Sequence, residues 1–229
     1  MHFRQLFDKT SSTYTYLLGC GETKKAIIID PVIDNIEQYL QLLKQLDLTL
    51  SVAIDTHIHA DHVSALGELR NQLDCRTVMG EHSDASCVSE KVQHDQLIQE
   101  GGVKLKALYT PGHTKESYSF YCDGKVFTGD ALLIRGTGRT DFQGGDAGMS
   151  WDSIQDQLLS LPDETLIFPG HDYKGWTTSS VLEEKMHNPR LANKNRDDYI
   201  DIMNNLNLSD PKMMDLAVPA NLQCGDLKD

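Results

Sequence analysis

Several features are scarce in this chain, and each scarcity narrows what it does. Basic residues are few: 21 Lys and Arg stand against 34 Asp and Glu, a formal net charge of −13 at pH 7. A phosphate backbone demands a basic surface, so nucleic acid is not an expected partner. Nor is a membrane, because there is no polybasic patch for anionic lipids and no apolar run approaching the roughly 20 residues of a membrane span. Met1–Phe7 shows neither the apolar core of a secretion signal nor the Arg-rich amphipathic pattern of a transit peptide, which predicts a cytoplasmic protein. The five cysteines, Cys20, Cys75, Cys87, Cys122 and Cys224, are odd in number, scattered and never arranged as Cys-x-x-Cys. That pattern predicts reduced, mostly buried thiols rather than a disulfide framework or a thiolate metal site.

At 229 residues the chain is long enough to bury a substantial core, and no low-complexity linker or internal repeat divides it. Apolar and β-branched runs at Tyr14–Leu18, Ala26–Ile29, Leu50–Ile54, Val103–Tyr109, Tyr118–Tyr121, Lys125–Thr128 and Leu166–Phe168 predict strands. Helical spacing follows Asp34/Asn35 at Ile36, Leu40, Leu43 and Leu46. Further helices are expected over His62–Leu73, over Trp151–Leu159 with Ser150 as cap, and over Glu183–His187 and Asp197–Leu206. Strand pairs that precede single helices favour a layered α/β domain.

What the chain does have is metal-ligand chemistry at strand ends. Thr56-His57-Ile58-His59-Ala60-Asp61-His62 packs four ligand side chains into six residues directly after the apolar run Leu50–Ile54. Alternate residues of an extended segment share a face, so His57 and His59 can converge, while Asp61 and His62 point to a neighbouring position. Imidazole and carboxylate suit zinc, iron or manganese. Thr110-Pro111-Gly112-His113-Thr114, Phe127-Thr128-Gly129-Asp130 and Phe168-Pro169-Gly170-His171-Asp172 repeat the placement. Five of the nine histidines fall in such places, which a merely polar turn does not explain. Gly136-Thr137-Gly138 with Gly144-Gly145 forms a glycine-rich loop that lacks the ending of a nucleotide-binding P-loop. Its arginines, Arg135 and Arg139, suit recognition of an anion.

The ordered set His-x-His-x-Asp-His, then His113, Asp130 and His171, resembles the metallo-β-lactamase superfamily. The resemblance implies an αββα sandwich: two mixed β-sheets face to face, helices outside and the metal at the sheet edge. Residues 1–229 would form one such domain with a short C-terminal helical extension. In dinuclear members one ion takes the equivalents of His57, His59 and His113, the other those of Asp61, His62 and His171, and Asp130 bridges. All seven positions are occupied, so the ligand set leaves one metal or two open.

The stretch Thr128–Gln143, with Pro169–Tyr173, Asn188-Pro189-Arg190-Leu191 and Ala217-Val218-Pro219-Ala220-Asn221, resembles the persulfide dioxygenases more narrowly. Thr137 departs from the Cys of many members, and Gly170 from the Ala of some. This resemblance implies one Fe(2+) per chain on His57, His113 and Asp130, with His59, Asp61, His62 and His171 as supporting groups that orient ligands and bond to water. The implied reaction oxidises glutathione persulfide with O2 and water to sulfite and glutathione. Arg139 and Arg190 are candidates to hold the glutathione carboxylates, and Tyr173 to donate a hydrogen bond near the metal. The resemblance also implies a homodimer, and a sulfur-transferase partner that is a separate protein. Two alternatives use the same residues: a glyoxalase II-type thioester hydrolase with a dinuclear site, for which the stretch beyond His171 is short, and a non-catalytic persulfide-binding protein, whose expected loss of ligands is not seen.

Overall fold

The computed structural model describes residues 1–209, 211 and 213–226. Two six-stranded mixed sheets form the centre. The first contains, in spatial order, β1 (His2–Asp8), β2 (Thr13–Gly19), β3 (Lys25–Ile29), β4 (Thr49–Ile54), β5 (Arg76–Gly80) and β6 (Glu90–Val92). Its first three strands are antiparallel and its last three run parallel to β3. The second runs from β7 (Leu97–Glu100) through β8 (Val103–Tyr109), β9 (Tyr118–Cys122), β10 (Lys125–Gly129) and β11 (Leu166–Pro169) to β12 (Ser179–Ser180). Only the β10–β11 pair in it is parallel.

The near-continuous apolar runs in the central strands are what a sheet buried on both faces requires. Tyr16, Leu18, Ile27, Ile29, Val52 and Ile54 meet Leu105, Ala107, Phe120, Phe127 and Phe168 between the sheets. The alternate residues Leu17, Ile28 and Ala53 face the other way, onto α1 (Ile36–Gln45) and α2 (Leu66–Leu73). Leu108, Val126 and Ile167 are buried on the far side of the second sheet. They lie beneath α3 (Ala147–Ser153), α4 (Val181–His187) and α5 (Arg196–Asn204), and α6 (Met214–Asn221) follows. This is the αββα sandwich expected of the sequence.

Three expectations need correction. The helix expected from His62 begins only at Leu66, because Ser64 pairs with Val32 in an isolated bridge and the Ala65 amide donates to the Pro31 carbonyl. The helix expected over Trp151–Leu159 starts earlier, at Ala147, with Asp146 as its cap, and widens to a π-helix over Ile154–Leu158. Ser150 is instead buried inside it. Finally, the thiols are not all reduced: Cys87 and Cys224 form a disulfide across 137 residues of sequence. Their pairing was hidden because it joins the segment after β5 to the turn after α6, which only the fold brings together.

A cross-link closing so long a loop contributes about 2–4 kcal/mol, which in a chain of this size corresponds to about 5–15 °C in melting temperature. Reduction, or Cys87→Ser, should lower the melting temperature by that amount. Among the free thiols Cys20 should alkylate first, since its hydrogen bond with Thr23 lowers it to about 7 while burial pushes Cys75 up to about 11. Mass spectrometry of unreduced protein showing Cys87 and Cys224 alkylated as readily as Cys20 would contradict the pairing.

Candidate metal centre

The ligand-bearing loops leave β4, β8, β10 and β11 at one edge of the sandwich, and hydrogen bonds between the sheets lock that edge. The Tyr118 amide donates to the Thr56 carbonyl at 2.9 Å, and the Tyr14 amide to the Gly170 carbonyl at 2.8 Å. Asp30, just past β3, captures the first turn of the next loop. It accepts from the Thr56 amide at 2.7 Å and from the Thr56 hydroxyl at 3.0 Å. With its proton given to Asp30, the Thr56 oxygen accepts from His57 Nδ1–H at 2.9 Å. That bond leaves the lone pair of His57 on Nε2. His113 reaches the same tautomer by another route, since its Nδ1–H donates to the Arg139 carbonyl at 2.7 Å. A backbone oxygen only accepts, so Nε2 of His113 is also free to bind.

His57, His113 and Asp130 converge, each offering one ligand atom within 4.8 Å of the others. Burial, reinforced by the nearby His59 and His113, pushes His57 well below the ordinary imidazole range, so it is neutral at pH 7. Burial by itself would raise Asp130, but His171, His113 and His57 outweigh it and hold the carboxyl below its usual range. A neutral His57 beside an ionised carboxylate suits a divalent cation.

A second set of groups backs this one. His171 donates from Nδ1 to Asp130 at 2.6 Å and from Nε2 to Asp61 at 2.9 Å. Although burial opposes it, these two carboxylates raise His171 well above the ordinary range. Asp61 also accepts from His62 Nδ1 at 2.8 Å and from the Thr13 hydroxyl at 3.1 Å. His59 donates from Nε2 to Asp30 at 3.2 Å, which carries it to about 9 against the effect of burial. His59 Nδ1 and His62 Nε2 are buried without a hydrogen-bond partner, and with Asp61 they form a further group of converging ligand atoms. The seven residues of the sequence pattern are thus brought together, with donors for one ion and the makings of a second site.

A cavity of about 480 Å³ opens onto Asp130 and His113 and is walled by the loop from Leu133 to Arg139. All three residues expected to meet substrate line it, but two already have partners. Arg139 grips Asp141 with two bonds of 2.7 and 2.8 Å, donates to the Ser209 carbonyl at 2.7 Å, and lies over the Phe142 ring. Arg190 donates to the carbonyl and hydroxyl oxygens of Thr137 at 2.6 and 3.1 Å. Tyr173 is 73% exposed, with its ring parallel to that of His171 at 6.0 Å between centroids. Thr137 is a buried node that also accepts from Tyr199 at 2.9 Å.

The pattern shared with known proteins matches this geometry. Residues 9–171 match the family described as the metallo-beta-lactamase superfamily. The chain belongs to that superfamily. Fold and cluster together imply a bound metal. The mouse protein named "Persulfide dioxygenase ETHE1, mitochondrial" is 44% identical over 225 residues, covering 97% of this chain and 88% of the mouse protein. The crystal structure of ETHE1 from Myxococcus xanthus superposes with a TM-score of 0.97 at 52% identity, covering 99% of this chain and all of that one. A probable hydroxyacylglutathione hydrolase of Schizosaccharomyces pombe is 37% identical over 184 residues, covering 78% of this chain and 70% of the yeast protein.

Within the superfamily fold, several supporting residues escaped sequence reasoning. Asp30 follows the apolar run Ala26–Ile29 just as the ligands follow theirs, so the strand-end signal was present. Glu184 left no such signal, being a helical Glu in a chain rich in acids. It is fully buried and accepts from Arg135, Ser179 and Asn188, while Asn188 also donates to the Gly136 carbonyl at 3.1 Å. It thereby fastens the cavity wall to α4. Glu184→Ala should destabilise the protein by about 2–4 kcal/mol, because Arg135 and Asn188 lose a buried partner. Urea unfolding measures this, and a loss below about 0.5 kcal/mol would show that the wall is held elsewhere.

Proposed function

We propose that the protein is an iron-dependent persulfide dioxygenase that converts glutathione persulfide, with O2 and water, to sulfite and glutathione. The observation that carries this reading is the convergence of His57, His113 and Asp130 in a chain that aligns over 97% of its length with a protein named persulfide dioxygenase. Two His and one carboxylate on one face suit ferrous iron, which when bound offers open positions for the persulfide sulfur and O2.

The chain's own residues prepare that site. Thr56 and the Arg139 carbonyl fix the two imidazole tautomers, and His171 keeps Asp130 ionised and aimed. A persulfide is already anionic near neutral pH, so no dedicated base is needed. Glutathione carries two carboxylates, and Arg139 and Arg190 are among the cations that line the cavity. Arg139 would share its guanidinium between Asp141 and the substrate, which makes the arginine pre-oriented rather than free. Tyr173 would donate its hydroxyl proton from the rim. The reading includes a homodimer supplied by a separate sulfur transferase. The Cys87–Cys224 bridge does not favour the cytoplasm expected from the N-terminal residues, because thiols there are kept reduced. Among the described residues no helix is long and apolar enough to cross a membrane.

A second reading, a dinuclear thioester hydrolase, draws on the partnerless His59 Nδ1 and His62 Nε2 beside Asp61. Metal analysis of anaerobically prepared protein, with O2 uptake and sulfite release on glutathione persulfide, separates the two. One iron per chain with O2 consumption is expected. Two metals with thioester hydrolysis would establish the hydrolase, and neither activity would leave a binding protein.

The variants follow from the same geometry. His113→Ala should lose iron and activity together. His62→Ala should keep iron with about 10–100-fold weaker affinity or rate; a variant devoid of iron would make His62 a ligand. Arg139→Ala should keep its iron, because the bond to His113 comes from the backbone, yet raise KM for glutathione persulfide by about ten- to a hundredfold. An unchanged KM would leave Arg139 as a bracket for Asp141 and Ser209.

A further inference from the structure

The side chain of Asn221, the last residue of α6, is 1% exposed and reaches across to the metal-ligand loop. Its amide nitrogen donates to the carbonyls of His59 and His62, both at 2.9 Å, and its oxygen accepts from the Ser64 amide at 2.8 Å. Three of the four hydrogen bonds an asparagine can make thus go to the backbone of one short segment 162 to 157 residues away. Without Asn221, two buried carbonyls and an amide in the irregular His59–Ser64 segment lose this partner. The surrounding contacts hold Asn221 in place. The Gly67 amide donates to the Cys224 carbonyl at 2.8 Å, and the disulfide ties Cys224 to Cys87. Gly225 passes so close that a Cβ there would lie 1.9 Å from the Ser64 oxygen. Val63 packs against Ala217 and Ala220 of the same helix.

We infer that Asn221 is a positioning residue for the metal centre. It sets the backbone that carries His59, Asp61 and His62, and through Asp61 it sets His171, which holds Asp130. The route runs through one short stretch of backbone and then through hydrogen bonds. Asn221 holds the His59 and His62 carbonyls, which bracket Asp61 along the chain, Asp61 accepts from His171 at 2.9 Å, and His171 donates to Asp130 at 2.6 Å. Asn221 touches no ligand atom itself. The inference rests on the metal-centre reading but not on the identity of the metal or the reaction.

The test is metal affinity, measured by chelator competition with Fe(II) and, in parallel, Zn(II). Asn221→Asp keeps nearly the same shape and the acceptor for Ser64 but loses the amide donors. It should weaken binding about 10–100-fold, and Asn221→Ser should do the same if the buried acid impairs folding. Leu216→Gly, which loosens the same helix at an exposed position without touching these bonds, should keep wild-type affinity. Combining Asn221→Asp with Asp61→Asn should give less than the product of the two losses, since both act along one route. Wild-type affinity in the Asn221 variants, an equal loss in Leu216→Gly, or fully multiplicative losses would each overturn the inference. A wild-type protein that binds neither metal would instead remove the metal centre on which it rests.

Discussion

The carboxylate of Asp130 is the point on which the site's geometry depends. It lies just past β10, mostly shielded from water, bonded by His171 and 3.6 Å from His113. A carboxylate drawn mostly out of water is costly unless it is paired and hydrogen-bonded, and the backbone around it comes close. A Cβ on Gly138 would lie 2.2 Å from the Asp130 carbonyl, and one on Gly170 would lie 2.7 Å from its Oδ1. Glycine at both positions lets the two loops close over the acid.

Charge is arranged in layers around that point. His57 is kept neutral by burial among other imidazoles, whereas His59 and His171 are drawn toward the protonated form by Asp30 and by Asp130 with Asp61. The same residue type is thus sorted into different roles by its neighbours. The sorting is incomplete at His59 Nδ1 and His62 Nε2, which have no hydrogen-bond partner, and a second metal would need His59 to shed its extra proton first. Tautomer control shows the same economy: a threonine hydroxyl serves His57, and a carbonyl of the cavity wall serves His113. The second of these makes the substrate wall and the metal site mechanically one unit, since displacing Arg139's backbone would also turn His113.

That wall is itself braced from outside the site. Glu184 holds Arg135, Asn188 holds Gly136, and Arg190 holds Thr137. The cations that face the cavity are consequently oriented before any ligand arrives, which lowers the ordering cost of binding. On the opposite side α6 braces the His59–Ser64 segment through Asn221. Both braces come from late in the chain, so the centre is complete only after the C-terminal helices have docked.

How much of this was legible follows from the range of the forces involved. The seven long apolar runs were readable as strands because burial on both faces leaves a continuous local pattern. The metal ligands were readable because each follows such a run. Strands β1, β5, β6, β7 and β12 were not distinguished, since they are short, partly exposed or near the sheet edges, where alternation is weak. The start of α2 was misplaced because Val32 and Pro31, distant in sequence, hold Ser64 and Ala65 out of the helix. The Cys87–Cys224 bond, the Glu184 hub and the Asn221 clamp left no local periodicity at all, because each is a contact between segments that meet only after folding. Residue chemistry and strand-end placement therefore determined which side chains gather as candidate metal ligands. Tertiary structure decided which of them are neutral, which nitrogen each presents and which carboxylate each is paired with, because tautomer and charge depend on partners that lie far away along the chain.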